Sequence, residues 1–588
     1  MHASARGLSS LLFAITFSSA ALFAQPIAST PKQNPDWWKN AVIYEIYPRS
    51  FQDSNSDGIG DLNGITSRLD YLQSLGVDAI WLTPIYPSPQ IDFGYDISDY
   101  TNVDPQYGTL ADFDRLVAEA HKRNIGIIMD LVLNHTSDKH PWFEESASSR
   151  TNPKADWYMW HEPKIVNGHR EPPNNWLSVF GHSAWQWDPA RHQYYYHRFY
   201  IQQPDLNWNN PAVRKAMYDV ERFWIQHGVV GFRLDAITSL FEDPSFTDEN
   251  YVLGPDGKPR ITVYGDKQVD TLKTDNLPEV HNVLRELRQV ADQTQGRKVI
   301  LIGETYLRST DDLQKMYGAH NDELDLPMDM QVGFPPENGS LWDVSRFRQR
   351  INEAETGIGS AMPLFVFDNH DNKRWDRYVT ADHKDDVGRV LATVLFASRD
   401  TALMYYGDEI GMVTTPPTRK EDVKDPIGIT GWPGEKGRDG ERTPMQWNDR
   451  PDAGFSPSGV KTWLPIPPSY AQTNVAAEEH ESDSMLHWYQ QLIALKKQDP
   501  ALHDGAETML NTSDTHVLSW MRKADNGETI LVACNFTDQE QTVSFDLSAL
   551  GVQGARLTTL MKTPGAADPA SLQSIHLGPY GVYIARIE

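Results

Sequence analysis

The sequence has little of three things: cysteine, positive charge and long apolar runs. Its 588 residues include one cysteine, Cys534, so no disulfide can form within the chain and a large core must supply the stability. Lys and Arg number 53 against 80 Asp and Glu, which gives a formal net charge of −27. Nucleic acids and anionic membranes bind basic surfaces, so we expect neither as a partner.

Apolar runs of membrane-spanning length are also missing. The apolar stretch from Leu11 to Ala24 is short and rich in Ser, and Arg6 precedes it. With "ALFA-Q" as a cleavage point after Ala24, this pattern predicts a signal peptide over residues 1–24. An uncleaved anchor or a disordered tail is the alternative. We therefore expect an exported protein, periplasmic or secreted, with no membrane partner.

From Ala41 onward, apolar strand-like runs alternate with amphipathic helical stretches. The first three runs are "AVIYEIYPRSF", "VDAIWLTPIY" and "IGIIMDLVLN". Five more follow an irregular stretch: "VVGFRLDA", "KVILIGE", "ELDLPMDMQ", "PLFVFDNHD" and "TALMYYGDEI". Nearly continuous apolar runs are typical of strands buried on both faces. Eight of them with helices between predict an α/β fold, a closed (β/α)₈ TIM barrel.

Composition divides the chain into segments. After the signal peptide, the first part of the barrel is predicted over 25–134 and the second over 209–500. The intervening segment 135–208, rich in Trp, Pro, His and Asn, is predicted to be an insert. A second irregular stretch lies at about 411–480. Short alternating strands such as "TILVACNF" predict a separate antiparallel β domain over 505–588.

Charged side chains stand at the carboxyl ends of the predicted strands, where barrels carry their active sites. Asp235, Glu304 and Asp371 follow the fourth, fifth and seventh runs. Arg233 shares a strand face with Asp235, because residues two apart on a strand point the same way. Each carboxylate alone is more readily explained as a strand-end cap or ion pair. Three at corresponding ends predict a catalytic cluster.

The motifs at these ends resemble a known family. "DLVLNH", "GFRLDA", "GE" after the fifth strand and "NHD" are similar, in this order, to the four motif regions of the α-amylase-type glycoside hydrolases, family 13. "QPDLNW" and "GRDGERTPMQW" resemble the α-glucosidase and oligo-1,6-glucosidase branch. The resemblance covers nearly the whole mature chain. It implies the barrel, an inserted domain B after strand three and a C-terminal β-sandwich.

The resemblance implies a retaining mechanism with two carboxyl groups about 5–5.5 Å apart. Asp235 would be the nucleophile, kept ionised by Arg233, and Glu304 the general acid and then base. The pKa of Glu304 should be raised by the neighbouring carboxylates. Asp371 would bind the sugar hydroxyls at C2 and C3. The chemistry needs no cofactor.

Further residues are implied to hold the terminal glucose. His135 and His370 would bind its hydroxyls, Asp92 its C4 and C6 side, and Tyr95 would stack under its ring. For the two histidines, burial as satisfied core residues is the alternative.

Two arginines and two phenylalanines complete the expected pocket. Arg438 would pair with the same end of the sugar as Asp92, whereas Arg442 would act nearer the leaving group or as scaffold. Phe180 and Phe199 would form aromatic walls, although core packing explains a Phe equally well.

The loop "DSNSDGIGD" predicts a structural cation. Its oxygen ligands would be Asp53, Asn55, Asp57, the Ile59 carbonyl and Asp61. Oxygen ligands suit a hard ion, Ca²⁺ or Mg²⁺. The loop departs from an EF-hand because its twelfth position is Gly64 rather than Glu. An Asx-rich turn without an ion is the alternative.

The leading functional hypothesis is an exported, exo-acting α-glucosidase that acts on short oligosaccharides. The resemblance implies that the residue after the nucleophile influences linkage, with Val associated with α-1,6 bonds and smaller or polar residues with α-1,4, so Ala236 favours α-1,4 bonds of the maltose type. The alternatives are an oligo-1,6-glucosidase, a transglucosylase similar to trehalose synthase or sucrose isomerase, and a non-catalytic scaffold. The three carboxylates argue against the scaffold, and the oligomeric state stays open.

Overall fold

The computed structural model describes residues 34–333, 340–359, 361–378, 383–552, 556–569 and 571–588. The predicted signal peptide, 1–24, lies outside these residues. Among the helices in the described ranges, none is both long and apolar enough to cross a membrane.

Eight parallel strands form the central sheet, as the alternation of apolar runs predicted. They are Val42–Ile46, Ala79–Leu82, Gly126–Val132, Gly231–Asp235, Ile300–Gly303, Leu326–Asp329, Leu364–Phe365 and Ala402–Tyr405. Consecutive strands pair from the first to the seventh, and the first also pairs with the eighth, with Val42 opposite Ala402. The Thr401 N–H donates to the Pro363 carbonyl at 3.0 Å and links the starts of the seventh and eighth strands. The predicted barrel is confirmed.

Amphipathic helices surround the barrel and cover its outer face. The longer ones are Leu110–Lys122, Pro211–Gln226, Val280–Asp292, Val344–Gly357, Lys384–Ala397 and Met485–Gln498. The shorter ones are Pro48–Phe51, Leu62–Ser67, Leu69–Leu75, Thr310–Lys315 and Pro500–His503. Thr109 and Asp112 close a capping box at the start of the first long helix. Gly76, with φ of 97°, ends the helix Leu69–Leu75 in the left-handed conformation that glycine permits.

Apolar side chains from alternate strand positions fill the barrel below its carboxyl ends. This cluster includes Ile43, Trp81, Ile128, Ile300, Met328, Leu364 and Leu403. The fourth strand puts Arg233 on top of it, with the guanidinium 5.0 Å from the centroid of the Trp81 ring. Because the interior below is filled, polar side chains can gather only at the mouth.

Three irregular segments rise from the carboxyl ends of the strands. Between the third and fourth strands lie the helix Pro141–Ser148 and the short strands Trp160–His161, Lys164–Val166, His169–Glu171, Trp185–Asp188 and Gln193–Tyr196. Residues 240–279 form an extension with isolated antiparallel bridges, such as Leu253 to Pro259, which the sequence analysis did not anticipate. The stretch near 411–480 contains the helices Pro426–Gly431 and Val475–Glu478. The predicted domain boundaries stay predictions.

The C-terminal region is antiparallel. Five strands form one sheet: Ala506–Leu510, Val517–Lys523, Thr529–Asn535, Val582–Ile587 and Leu557–Lys562. Gln541–Val543 and Ile575–Leu577 form a second, and the two share an apolar core. Trp342 stacks on Phe536 with 4.3 Å between ring centroids, which fixes this region against the barrel.

Candidate active site

One buried guanidinium joins the two predicted catalytic carboxylates. Arg233 donates from Nη1 to Oδ1 of Asp235 at 2.6 Å, and its Nη2 lies 2.7 Å from Oε1 of Glu304. Asp130, one strand away, lies 3.2 Å from Nη1. The strands that carry Asp235 and Glu304 are adjacent in the sheet. The structure therefore brings these two carboxylates together and adds Glu304 to the predicted Arg233–Asp235 pair.

The residue after Asp235 holds the second oxygen of Glu304. The backbone N–H of Ala236 donates to Oε2 of Glu304 at 2.8 Å. Ala236 has φ of 47°, in the left-handed region that residues with a Cβ rarely adopt. Such strain is typical of functional sites, and here it accompanies the turn that leads out of the fourth strand.

Burial and neighbouring charges set the protonation of the pair. Burial raises the pKa of Glu304 to about 7; the Arg233 guanidinium lowers it, and the Asp235 carboxylate opposes that decrease. Burial also raises the pKa of Asp235, against the opposite effect of Arg233. A carboxyl group that titrates near neutral pH can hold a proton and donate it, as a general acid must. The pKa of Glu304 is raised, as expected, but burial contributes more to this increase than the neighbouring carboxylates do.

Asp371 lies in a cationic environment. Its Oδ1 accepts from Nη1 of Arg438 at 2.8 Å and from Nη2 of Arg442 at 2.7 Å. Its Oδ2 lies 3.2 Å from Nε2 of His370. Burial alone would raise the pKa of Asp371, but His370 and Arg438 hold it well below its usual range. Asp371 is therefore an anionic hydrogen-bond acceptor, suited to sugar hydroxyls.

Arg438 also closes the pocket at Asp92, as predicted. Its Nη2 donates to Oδ1 of Asp92 at 2.7 Å, and its Nε donates to Oδ2 of Asp425 at 2.8 Å. Gln203 donates from Nε2 to the other oxygen of Asp92 at 3.2 Å. Asp425 was not predicted as a site residue.

His135 forms part of the wall in its neutral form. Burial lowers its pKa to about 3. Its Nε2 lies 3.1 Å from Nε2 of Gln203 and 3.2 Å from the Tyr95 carbonyl, and its Nδ1 lies 3.0 Å from Oδ1 of Asn134. This arrangement fixes the ring toward the cavity.

His370 lies behind the wall. Its Nδ1 lies 2.6 Å from Oε1 of Glu45, and its Nε2 lies 2.7 Å from the Tyr95 hydroxyl. Burial lowers its pKa, but the Asp371 and Glu45 carboxylates prevail and raise it to about 9. Tyr95 stacks on it, with 5.4 Å between ring centroids. The structure thus places His370 behind Tyr95 and Asp371, in contact with both, and its contact with a sugar hydroxyl stays a prediction.

These side chains surround a cavity of about 400 Å³. The predicted residues that line it are Asp92, Tyr95, His135, Phe180, Phe199, Asp235, Glu304, Asp371 and Arg438. Arg233, His370 and Arg442 are fully or almost fully buried beneath them. Arg442 donates from Nε to the His370 carbonyl at 2.7 Å, which fits the scaffold alternative.

The segment after the third strand supplies the aromatic wall. Phe199 lies 5.1 Å from the ring of His135, and Phe180 lies 5.8 Å from Phe199. The Arg438 guanidinium lies 5.5 Å from the centroid of the Phe180 ring. Both phenylalanines therefore face the cavity rather than the core.

Several residues of the wall were missed. They are Val179, Arg198, Thr238, Ser239, Asp275, Tyr306 and Ile427. Thr238 and Ser239 follow "GFRLDA" after one intervening residue, Ile237, so their position near the nucleophile in the chain was available from the sequence. Arg198 and Asp275 lie on irregular segments without periodicity, and no sequence signal marks them.

The loop predicted to hold a cation is closed by its own hydrogen bonds. Asp53 accepts from the backbone N–H groups of Asn55 and Gly58, both at 3.0 Å, and Asp61 accepts from that of Ser54 at 2.8 Å. Within the described ranges, no group of three or more His, Cys, Asp or Glu side chains is arranged to hold a metal. The donor set is all oxygen, which suits a hard cation.

Two family models match the chain. The α-amylase catalytic domain matches residues 45–505, and the maltogenic amylase C-terminal domain matches residues 508–584. The recognition from sequence motifs is confirmed.

Individual relatives are similar over most of their length. A probable α-glucosidase of Rhizobium meliloti (strain 1021) is 42% identical, covering 88% of this chain and 92% of that protein. An oligo-1,6-glucosidase of Heyndrickxia coagulans is 38% identical, covering 87% of this chain and 94% of that protein. The solved structure of an α-glucosyl transfer enzyme superposes with a TM-score of 0.83 at 37% identity, covering 95% of this chain and all of that one.

Proposed function

Because the chain belongs to the α-amylase family, we propose that it is a retaining, exo-acting α-glucosidase that removes terminal glucose from short oligosaccharides. One observation carries the proposal most directly. Asp235 and Glu304 bind the same Arg233 guanidinium at the mouth of the barrel, beside the anionic Asp371. A nucleophile, a proton donor and a hydroxyl acceptor are thus within reach of one sugar ring.

The geometry supports a double displacement. In the first step, Asp235 attacks the anomeric carbon while Glu304 gives its proton to the glycosidic oxygen, so the bond breaks and a β-glucosyl ester forms. In the second step, Glu304 takes a proton from water. The resulting hydroxide equivalent displaces Asp235 and releases α-glucose. Arg233 offsets the charge on both carboxylates through the cycle.

The pocket favours exo action on short chains. Arg438 ties Asp92 to Asp371, so one wall of the cavity is closed by ion pairs. Phe180 covers the guanidinium of Arg438 from the side of the inserted segment. A wall of this kind accepts a terminal glucose and blocks a continuing chain.

Initial rates on maltose, isomaltose, sucrose, trehalose and soluble starch test the proposal. We expect free glucose as the main product, released first as the α anomer, with starch the slowest substrate. Release of the β anomer, or faster cleavage of starch than of maltose, would contradict the mechanism or the exo assignment.

Glucosyl transfer is the second candidate, and the similarity to the α-glucosyl transfer enzyme favours it. The two reactions share the β-glucosyl ester and differ in whether water or a sugar accepts the glucosyl group. If maltose yields mainly new disaccharides or trisaccharides at low conversion, transfer is the main activity.

Linkage preference is expected to depend on Ala236. Replacement of Ala236 by Val should lower kcat/KM on maltose relative to isomaltose by about tenfold, because added methyl groups fill the space beside the scissile bond. A β-branched residue at a φ of 47° should also destabilise the fold by about 1–3 kcal/mol.

Ala236→Gly is the matched control. Glycine adopts positive φ freely and adds no bulk, so it should keep the ratio of maltose to isomaltose rates and the melting temperature. An unchanged ratio in Ala236→Val would remove Ala236 from the basis of linkage choice.

We also propose that the Asp53–Asp61 loop binds Ca²⁺ or Mg²⁺ with a structural role; the all-oxygen donor set supports this. The ion would be held by Asp53, Asn55, Asp57, the Ile59 carbonyl and Asp61. We expect Ca²⁺ to raise Tm by a few degrees over protein in EDTA, because a ligand that binds only the folded state stabilises it. Asp57→Asn should lose this increase and keep the Tm measured in EDTA. A wild-type Tm that does not respond to Ca²⁺ or Mg²⁺ would contradict the site.

Export is likewise our proposal, supported by the N-terminal sequence pattern. N-terminal sequencing of the protein recovered outside the cytoplasm should begin at Gln25.

A further inference from the structure

Asp275 lies on the cavity wall next to the nucleophile's own chain. Oδ1 of Asp275 accepts a hydrogen bond from Oγ of Ser239 at 3.3 Å, and Ser239 is four residues beyond Asp235. The N–H of Asn276 donates to the Thr238 carbonyl at 2.7 Å and fixes the two segments together. The side chain of Asp275 is 22% exposed, so it stays open to the cavity.

The Arg198 guanidinium lies near Asp275 and binds the backbone at Thr274. Arg198 donates from Nη1 to the carbonyl and to Oγ1 of Thr274, at 3.0 and 2.8 Å. Its Nη2 lies 3.9 Å from Oδ1 of Asp275, which is beyond hydrogen-bond distance. Arg198 thus positions the chain while leaving Asp275 able to accept from a ligand.

The position of Asp275 assigns it to the second sugar. Asp92, Asp371 and Arg438 form one connected group, which the proposed function gives to the terminal glucose. The scissile bond lies where Asp235 and Glu304 meet. Asp275 is linked through Ser239 to the chain that leads away from Asp235, and its described hydrogen bonds and ion pairs do not join it to the group of Asp92, Asp371 and Arg438, which leaves it for the sugar on the other side of the scissile bond.

We propose that Asp275, with Ser239, accepts hydrogen bonds from hydroxyls of the leaving sugar and selects neutral sugars over 6-phosphorylated ones. This inference rests on the proposed function. Hydrogen bonds to a charged acceptor are about twice as strong as neutral ones, so the carboxylate favours a hydroxyl donor.

The charges that line the cavity support the proposed selection against 6-phosphorylated sugars. Five carboxylates line the cavity, Asp92, Asp235, Asp275, Glu304 and Asp371, against two guanidiniums, Arg198 and Arg438. Arg438 is engaged by three carboxylates. The Arg198 guanidinium is bound to Thr274 and that of Arg438 to carboxylates, so a phosphate on the second sugar would face Asp275 on a lining of net negative charge, and like charges at close range repel.

The test compares maltose with 4-nitrophenyl α-glucoside, whose leaving group has no hydroxyls. We expect Asp275→Ala to lower kcat/KM on maltose by about tenfold to a hundredfold and to leave the nitrophenyl substrate within about twofold. Asp275→Asn keeps the shape and should give a smaller loss on maltose. Asp256→Asn, on the exposed part of the same extension, is the matched control and should change neither rate.

The phosphate arm measures discrimination with maltose 6-phosphate, which carries the phosphate on the reducing-end glucose. Wild type should cleave it at least a hundredfold less efficiently than maltose, and Asp275→Asn should reduce that ratio by about tenfold. Equal losses on maltose and the nitrophenyl substrate, or no loss on either, would overturn the assignment, as would a ratio unchanged by Asp275→Asn. If wild type fails to cleave the nitrophenyl glucoside at all, the proposed function is wrong instead.

Discussion

Replacement of Asp235 by Ala should lower kcat on maltose by about 10⁴-fold or more. Without the carboxylate no glucosyl ester can form, and loss of an attacking group that works with others removes most of the catalysis. Oδ1 of Asp235 lies 2.6 Å from Nη1 of Arg233, the guanidinium that also binds Glu304. Initial rates with purified protein give the measurement.

Azide distinguishes a lost nucleophile from a misfolded site. In Asp235→Ala, azide can enter the space left by the carboxylate and attack the anomeric carbon of an aryl α-glucoside while Glu304 protonates the leaving oxygen. The product should be the β-glucosyl azide, with partial recovery of rate. Full hydrolysis of the aryl glucoside by Asp235→Asn would contradict the assigned role.

Glu304→Gln should lower kcat on maltose by about 10²- to 10⁴-fold, because an amide cannot give a proton to the glycosidic oxygen. The loss should be smaller for formation of the glucosyl ester from a 2,4-dinitrophenyl glucoside, whose leaving group needs no proton. The pre-steady-state burst of dinitrophenol measures that step. An equal loss with both leaving groups would contradict a general-acid role.

The pH profile is the companion measurement. The active form needs Glu304 protonated, and the pKa of this group is raised to about 7, so the proton is present below pH 7 and lost above it. We therefore expect kcat/KM of the wild type to fall on the alkaline side near pH 7. This limb should disappear in Glu304→Gln, because the amide does not titrate in that range.

The catalytic trio could be predicted because each member occupies an equivalent place. Asp235, Glu304 and Asp371 each follow an apolar run, and in a parallel barrel equivalent strand ends converge. Asp235 ends the fourth strand and Glu304 directly follows the fifth, whereas Asp371 lies six residues beyond Phe365 in the turn after the seventh. The sequence did not predict that Arg233 binds Glu304 as well as Asp235. That contact depends on the fourth and fifth strands being adjacent in the sheet.

The extension over residues 240–279 shows where sequence reasoning stops. Asp275 lies in it without apolar periodicity, and its place on the cavity wall depends on the contact between Asn276 and Thr238. His370 shows the same limit. Its neighbours Glu45 and Tyr95 come from other strands and loops, so its contacts with them could not be read from "NHD" alone.

The sequence by itself determined the barrel, the order of its strands and the three carboxylates at its mouth. These follow from local patterns: apolar runs, helix signals and charged residues at fixed offsets. Only the tertiary structure decided which charged groups form ion pairs, which side chains line the cavity and which lie beneath it. Those properties depend on burial and on distances between residues far apart in the chain, such as the 2.8 Å between Arg438 and Asp371, and no local pattern encodes them.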